Sequence, residues 1–418
     1  MAHGLTILDN EPAQIKNAGH AVRRATPADA QAISALYVRI YTPADGGNAR
    51  DYYPFPQMMS SDRVAAMIAG GEVVWLVAES PDRTLVGSAA AVRNIGDASD
   101  QIGEIFGVAV DTAQRHGGLG SALVGGLVNE LSGTSEFILC EARTAEAGGW
   151  KVARNAGFLP VGYEPYAHSM PVGFESMVLT GRWRRSSHPD GPHGQVPRSG
   201  LAHRLQKAVM GLAVATDAPF GPPDHRREAF PADTEVSIRR DDAAGRRWFD
   251  GPTDMFDRSA GIIGLNPLQG VDYRNGRFMS AYYVASSASS DVGAARVIYD
   301  RVDARARVLG LRTAAPAVRA ALLQYLVNDL LRLAGDSRLV IIVLVSSNCS
   351  QAQADLSNLG FFPSVYLPAF VAAAPGRSDA VQYTRLAGCS LRESIQGVTA
   401  KDWPEAEKVI AQVLRFAQ

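Results

Sequence analysis

The sequence predicts an α/β protein of two domains, each a mixed but mostly antiparallel central sheet flanked by helices. Three observations carry this. A chain of 418 residues is long for one domain and comfortable for two. Apolar runs of strand length alternate with stretches of helical spacing. The second half also repeats the first in outline, with Gly157-Phe158-Leu159-Pro160 echoed by Gly360-Phe361-Phe362-Pro363. Composition narrows the class: 46% hydrophobic and 20% charged residues suit an ordinary globular protein. A net charge of -1 gives no pull toward nucleic acid or an anionic membrane, and no apolar run reaches membrane-spanning length. Three scattered cysteines suggest neither a disulfide framework nor a metal site, so a cytoplasmic setting is expected.

Residues 1–20 have no basic-then-apolar leader and read as a flexible extension. The first domain is expected over 21–182. AVRRA, 21–25, is a short strand. Thr26-Pro27-Ala28-Asp29 opens a helix with an N-cap hydroxyl, a proline and an acid, and Ile33, Leu36, Tyr37 and Ile40 form its apolar face. A loop rich in glycine and aromatics leads to a helix at 61–69. Strands at 73–79 and 84–93 form a hairpin turned at Pro81-Asp82. A buried strand from Glu104 to Val110 enters a glycine loop, and Leu119, Leu123, Leu127, Val128 and Leu131 line the helix beyond it. A strand at 136–143, a helix near 146–156 and strands near 159–163 and 175–179 complete this half.

Residues 183–232, basic and rich in proline and glycine, read as a linker with a short helix within 201–214. The second domain, 233–388, is expected to hold strands at 235–239, 259–265, 280–285, 294–300 and 306–312. A helix at 316–334, the continuous apolar strand LVIIVLVS at 339–346, a helix at 350–359 and strands at 365–370 and 380–386 follow. Residues 389–418 are a helical tail whose helix starts at Asp402-Trp403-Pro404-Glu405.

The chemistry concentrates in the glycine loop. Gly117, Gly118 and Gly120 let the backbone turn tightly and bring N–H groups to the start of a helix, where an anion is favoured. No Gly-Lys-Ser/Thr follows, so this is not a P-loop, and the spacing is not the dinucleotide fingerprint. Arg115-x-x-Gly118-x-Gly120 between strand and helix resembles the signature of the GNAT superfamily of acyl-CoA N-acyltransferases, and Ala156–Tyr163 resembles that family's turn after its fourth helix. The resemblance covers 21–182. The internal repeat then makes the second half a further GNAT-like domain, a degenerate copy: RTAAPAVRAAL, 312–322, has no glycine where the loop should be.

What the resemblance implies is an acyltransferase, most simply an N-acetyltransferase. It would take acetyl-CoA or another acyl-CoA, held by Val108, Ala109, Val110, Arg115, His116, Gly117, Gly118, Leu119, Gly120 and Ser121, and use no metal. Glu104 occupies the offset of the family's general base, although a strand-edge glutamate in an ion pair fits the sequence equally. The usual proton-donating tyrosine is replaced by Ala153 and the usual asparagine by Glu146, so either the thiolate leaves unassisted, another group such as Tyr163 or Tyr166 substitutes, or the domain does not carry out ordinary acetyl transfer. Tyr52, Tyr53, Phe55, Glu141, Tyr166 and His168 are the expected acceptor contacts. Cys140 reads as packing. A small-molecule amine is the favoured acceptor over a protein, and a homodimer is allowed. An acyl carrier protein as donor, decarboxylation of an acyl-CoA, and a non-catalytic acyl-CoA-binding module stay open.

Overall fold

A computed structural model describes residues 19–49, 53, 56–171, 173–184, 201–210, 236–251, 258–265, 277–288, 290–313, 315–373 and 376–416. The first half runs β1 (Ala21–Arg24), α1 (Ala30–Tyr41), α2 (Ser61–Ala69), β2 (Val73–Glu79), β3 (Leu85–Val92), β4 (Ile102–Val110), α3 (Leu119–Leu131), β5 (Phe137–Arg143), α4 (Ala147–Asn155), β6 (Leu159–Met170) and β7 (Gly173–Trp183). This is the order that the GNAT resemblance implies. After α5 (Leu201–Val209) come β8 (Val236–Arg240), α6 (Asp242–Arg247), β9 (Phe278–Ser287), β10 (Ser290–Asp300), β11 (Arg305–Thr313), α7 (Pro316–Ala334), β12 (Leu339–Ser346), α8 (Ser350–Asn358), β13 (Phe362–Ala372), β14 (Arg377–Ala387) and α9 (Pro404–Arg415).

The strands among the described residues form one 14-stranded sheet in the order β1-β2-β3-β4-β5-β7-β6-β13-β14-β12-β11-β10-β9-β8. The order reads the same from either end, one half mirroring the other in sequence. The halves join where β6 meets β13, with Gly162 opposite Val365. Contact there needs glycine: a Cβ on Gly162 would lie 2.5 Å from Val365 Cα. The repeat reaches single hydrogen bonds. Arg182 donates to the Ala156 carbonyl at the end of α4 (2.6 Å), and Arg385 donates to the Leu359 carbonyl at the end of α8.

One face of the first half carries α3, whose Leu119, Leu123, Leu127 and Leu131 pack with Leu76, Ile105 and Cys140. The main apolar cluster runs through both halves, with Phe137 edge-on to Phe370 at 5.0 Å. The tail closes on it, α9 packing over β6 and Trp403 stacking on Trp150 at 6.1 Å.

Two expectations for the second half are corrected. Residues 259–265 are not a strand. Ile262 and Ile263 are buried, but the segment makes a single bridge, Ile262 to Val345. Conversely, α6 was not foreseen. It is six residues long, capped by the Asp241 side chain on the Ala244 amide, too short for a periodic pattern. In both halves the last hairpin is longer than its apolar core suggested, because β6 and β7 extend through polar residues. The extension, most of the linker and part of the predicted 201–214 helix lie outside the described residues.

Candidate active site

The site begins with a fork in the sheet. β4 and β5 pair in parallel only from Ile102–Ile105 to Phe137–Cys140. Beyond that β4 follows β3, bending through a bulge at Gly107, while β5 follows β7 as far as Arg143. Gly107 takes φ 63°, and a Cβ there would lie 2.8 Å from Tyr37 Oη. The Tyr37 hydroxyl donates to the Gly107 carbonyl and so holds the bulge. Tyr41 and Tyr53 stack beside it at 4.3 Å, walling the fork from the α1 side. At the end of β5, Arg143 Nε donates to Glu175 (2.7 Å), whose other oxygen accepts the Ala145 amide (2.8 Å).

At the mouth of the fork is the glycine loop. Asp111 accepts from the Ala113 amide (3.1 Å) and starts a single turn. His116 and Gly118 are left-handed, at φ 73° and 85°. The first bond into α3 runs from the Ala122 amide to the Gly118 carbonyl (2.9 Å). The amides of Leu119, Gly120 and Ser121 are therefore first-turn donors without a helical partner. Nothing lies within 4 Å of where a Gly118 Cβ would stand, and Gly120 lies close to α4, where a Cβ would sit 3.0 Å from Val152. The exposed Arg115 lies 3.8 Å from Glu146. An open cradle of helix-start amides with an arginine beside it fits a pyrophosphate.

Inside the fork stand two glutamates. Glu104 lies opposite Leu139, and Glu141, two residues on, shares its face because alternate strand residues point the same way. Neither has a hydrogen-bond or ion-pair partner among the described residues. Burial first, then repulsion from Glu141, pushes Glu104 up to about 8. Burial first, then repulsion from Glu164, also raises Glu141.

The third acid behaves differently. Glu164 of β6 shares this face, since its partner Met177 lies opposite Arg143. It is 1% exposed. Burial alone would raise it, but Arg305, Arg307 and Gln382 outweigh that and hold it at about 2. Arg305 hydrogen-bonds one oxygen, Gln382 Nε2 donates to the other (2.8 Å), and Arg307 lies 3.8 Å from the latter. All three partners come from the second half.

Several candidates are placed elsewhere. Tyr163 points to the opposite face, because its partner Val178 lies opposite Ala142 and not Glu141. It is fully buried, its hydroxyl donates to the Ser394 carbonyl (2.7 Å), and burial pushes it up to about 12. The counterpart of Tyr163 in the second half, Tyr366, likewise ties its hydroxyl to Gln206 and Asp379. This position serves structure in both halves, so Tyr163 is not a proton donor to the fork. Tyr166 donates to the Ser390 carbonyl (2.5 Å), and His168 is buried with Nδ1 3.1 Å from Asp303. His168 thus joins the two halves and Tyr166 ties the first half to the tail, so neither faces open space. Cys140 faces α3, and burial pushes its thiol up to about 12. Tyr52 and Phe55 lie outside the described residues. Among the described residues no group of side chains suits a metal, and no helix is long and apolar enough to cross a membrane.

Sequence reading missed Glu164, Arg305 and Arg307. Glu164 falls just past the end of the apolar run at Tyr163. The arginines sit on a strand of the half that lacks the loop, and their one signal was alternation, Arg305-x-Arg307, within an otherwise buried strand.

No family model matches the chain, and no curated protein matches it. Solved structures do. The chain is similar over 40% of its length to the ribosomal-protein-S5-alanine acetyltransferase from Vibrio fischeri, at 13% identity, 93% of that chain and a TM-score of 0.34. A GNAT superfamily phosphinothricin acetyltransferase from Sinorhizobium meliloti, in complex with AcCoA, matches 39% of this chain and 88% of its own, at 18% identity and a TM-score of 0.34. RimL, a ribosomal L7/L12 alpha-N-protein acetyltransferase in complex with coenzyme A, matches 40% of this chain and 96% of its own, at 15% identity and a TM-score of 0.34.

Proposed function

We propose that the chain is an acyl-CoA-dependent N-acyltransferase, most simply an N-acetyltransferase, acting on a small amine. The observation that supports it best is the fork between β4 and β5, with unpartnered Glu104 and Glu141 inside and a cradle of helix-start amides at its mouth. Bound acyl-CoA would supply an activated thioester. The amides from Gly118 to Ser121, with Arg115, would hold its pyrophosphate, and the unpaired edges of β4 and β5 would flank its arm. Glu104 takes the proton from the acceptor ammonium. A carboxyl pushed up to about 8 retains enough basicity to do so while ionising within reach of neutral pH. Glu141 offers the acceptor a second carboxyl contact. The halves, 21–182 and 233–388, are then two domains, of which only the first carries a cofactor loop.

The test is thiol release from acetyl-CoA with and without a panel of small amines, with product mass measured in parallel. Amine-dependent release together with an acetylated amine supports the reading. Amine-independent loss of carbon dioxide from an acyl-CoA, or binding without turnover, overturns it.

A further inference from the structure

We propose that the second half completes the active site: Arg307 of β11, the positional equivalent of Glu104, stands against the glutamates of the fork and positions the charge on Glu104. The inference rests on the reading of Glu104 as the base and adds a role for the half that has no cofactor loop.

The equivalence is geometric. Glu104 lies opposite Leu139 in the parallel pair β4–β5, and Arg307 lies opposite Ile342 in the parallel pair β11–β12. The interval from Glu104 to the Gly157-Phe158 turn equals that from Arg307 to Gly360-Phe361. Where the first half carries its candidate base, the second carries a cation. The link between the halves is Glu164, which shares the face of Glu141 and is reached from β11 by both Arg305 and Arg307.

The guanidinium of Arg307 is not used up by structure. Glu164 is already satisfied by Arg305 and Gln382, and the ion pair of Arg307 with it is long, 3.8 Å. The Arg307 side chain is 23% exposed, against 11% for Arg305. The charged groups that act on Glu104 are Glu141 from β5, Glu164 from β6 and Arg307 from β11. His168 and Arg305 act on the same cluster through Glu141, and Tyr37 and Tyr53 wall it from the α1 side. Two of the three charges on Glu104 are acids, which favour keeping its proton. Arg307 is the one cation among them. Without it a smaller fraction of the carboxyl would be ionised near neutral pH, and only the ionised form can take a proton from an ammonium group.

The experiment uses the full chain with Arg307→Gln, Arg307→Met and Arg307→Lys. The Glu104 carboxyl is titrated by carbon NMR on glutamate-labelled protein, assigned by its loss in Glu104→Gln, and kcat/KM is followed against pH. Removing the charge is expected to raise the Glu104 midpoint by about 1 unit, within the range opposite charges produce. The acid limb of kcat/KM should move with it, activity should recover at high pH, and lysine should restore most of the shift. Should glutamine disturb folding, methionine keeps the apolar stem and carries the same expectation. An unmoved midpoint, or a pH-independent loss that lysine does not rescue, would show that Arg307 only packs the halves together. Because the NMR titration needs no turnover, a shifted midpoint in a protein that transfers no acyl group would sink the proposed function and leave only the coupling of Arg307 to Glu104 standing.

Discussion

The two halves share a sheet plan but differ in what their connections do at the fork. In the first half β4 and β5 separate after four paired residues, and in the second β11 and β12 separate after the equivalent four. In the second half the gap is filled by chain. Ile262 bridges Val345, the Ile263 amide donates to the Leu344 carbonyl (2.8 Å), and the Ser346 amide donates to the Gly261 carbonyl (2.9 Å). Eight residues, 111–118, join β4 to α3, whereas two, 314 and 315, join β11 to α7. The first turn of α7 instead carries Arg319, buried and paired with Asp355 of α8 (2.9 Å). An irregularity survives in both: β11 bulges at Leu309, next to Gly310, which stands where β4 has Gly107. The lesson is that a fork and a bulge come with the fold, while a site needs the gap left open and a loop long enough to turn its amides outward.

The comparison can be broken most severely at Glu104. Glu104→Gln should lower turnover by about 10²–10⁴ with little change in acetyl-CoA affinity, and near-wild-type turnover across pH would remove Glu104 as the base. The second half should respond oppositely. Asp355→Ala leaves the Arg319 charge buried and unpaired, so unfolding by denaturant should show a loss of about 3–5 kcal/mol, with acetyl-CoA affinity unchanged in the protein that remains folded.

A pH effect separates Glu104 from Glu164. The folded pKa of Glu104 lies above its unfolded value of 4.5. The native state therefore binds more protons than the unfolded chain between about 4.5 and about 8, and this group's contribution to stability is lost as pH rises through that window. Glu104→Gln should consequently raise the Tm more at pH 9 than at pH 5. Glu164 has the reverse sign: its contribution is present above 4.5 and lost as pH falls through about 2. The smallest effect is expected from Tyr37→Phe. It removes one hydrogen bond to the Gly107 bulge, so a loss of about 1 kcal/mol in stability and a modest fall in turnover should follow.

Much of this was legible in the residues. The helices at 61–69 and 316–334 and the strands at 73–79 and 339–346 were bounded by glycine, proline or charge, and their ends were readable to the residue. The loop was legible because its glycines are unusual in any other role. The apolar residues 259–265 misled because burial against a single strand edge looks, in sequence, like a strand. Tyr163 misled because proximity along the chain says nothing about which face of β6 it occupies, a question that register with β7 decides. The role of Arg307 was out of reach, since it depends on a contact between strands that lie far apart in sequence.

The most direct measurement is calorimetric titration of acetyl-CoA into the wild type, into Gly118→Trp, and into Ala315→Trp at the corresponding exposed turn of the second half. One site per chain is expected, lost with tryptophan at 118 and retained with tryptophan at 315. Two sites, or a site that survives at 118 and disappears at 315, would contradict the assignment of the cofactor to the first half.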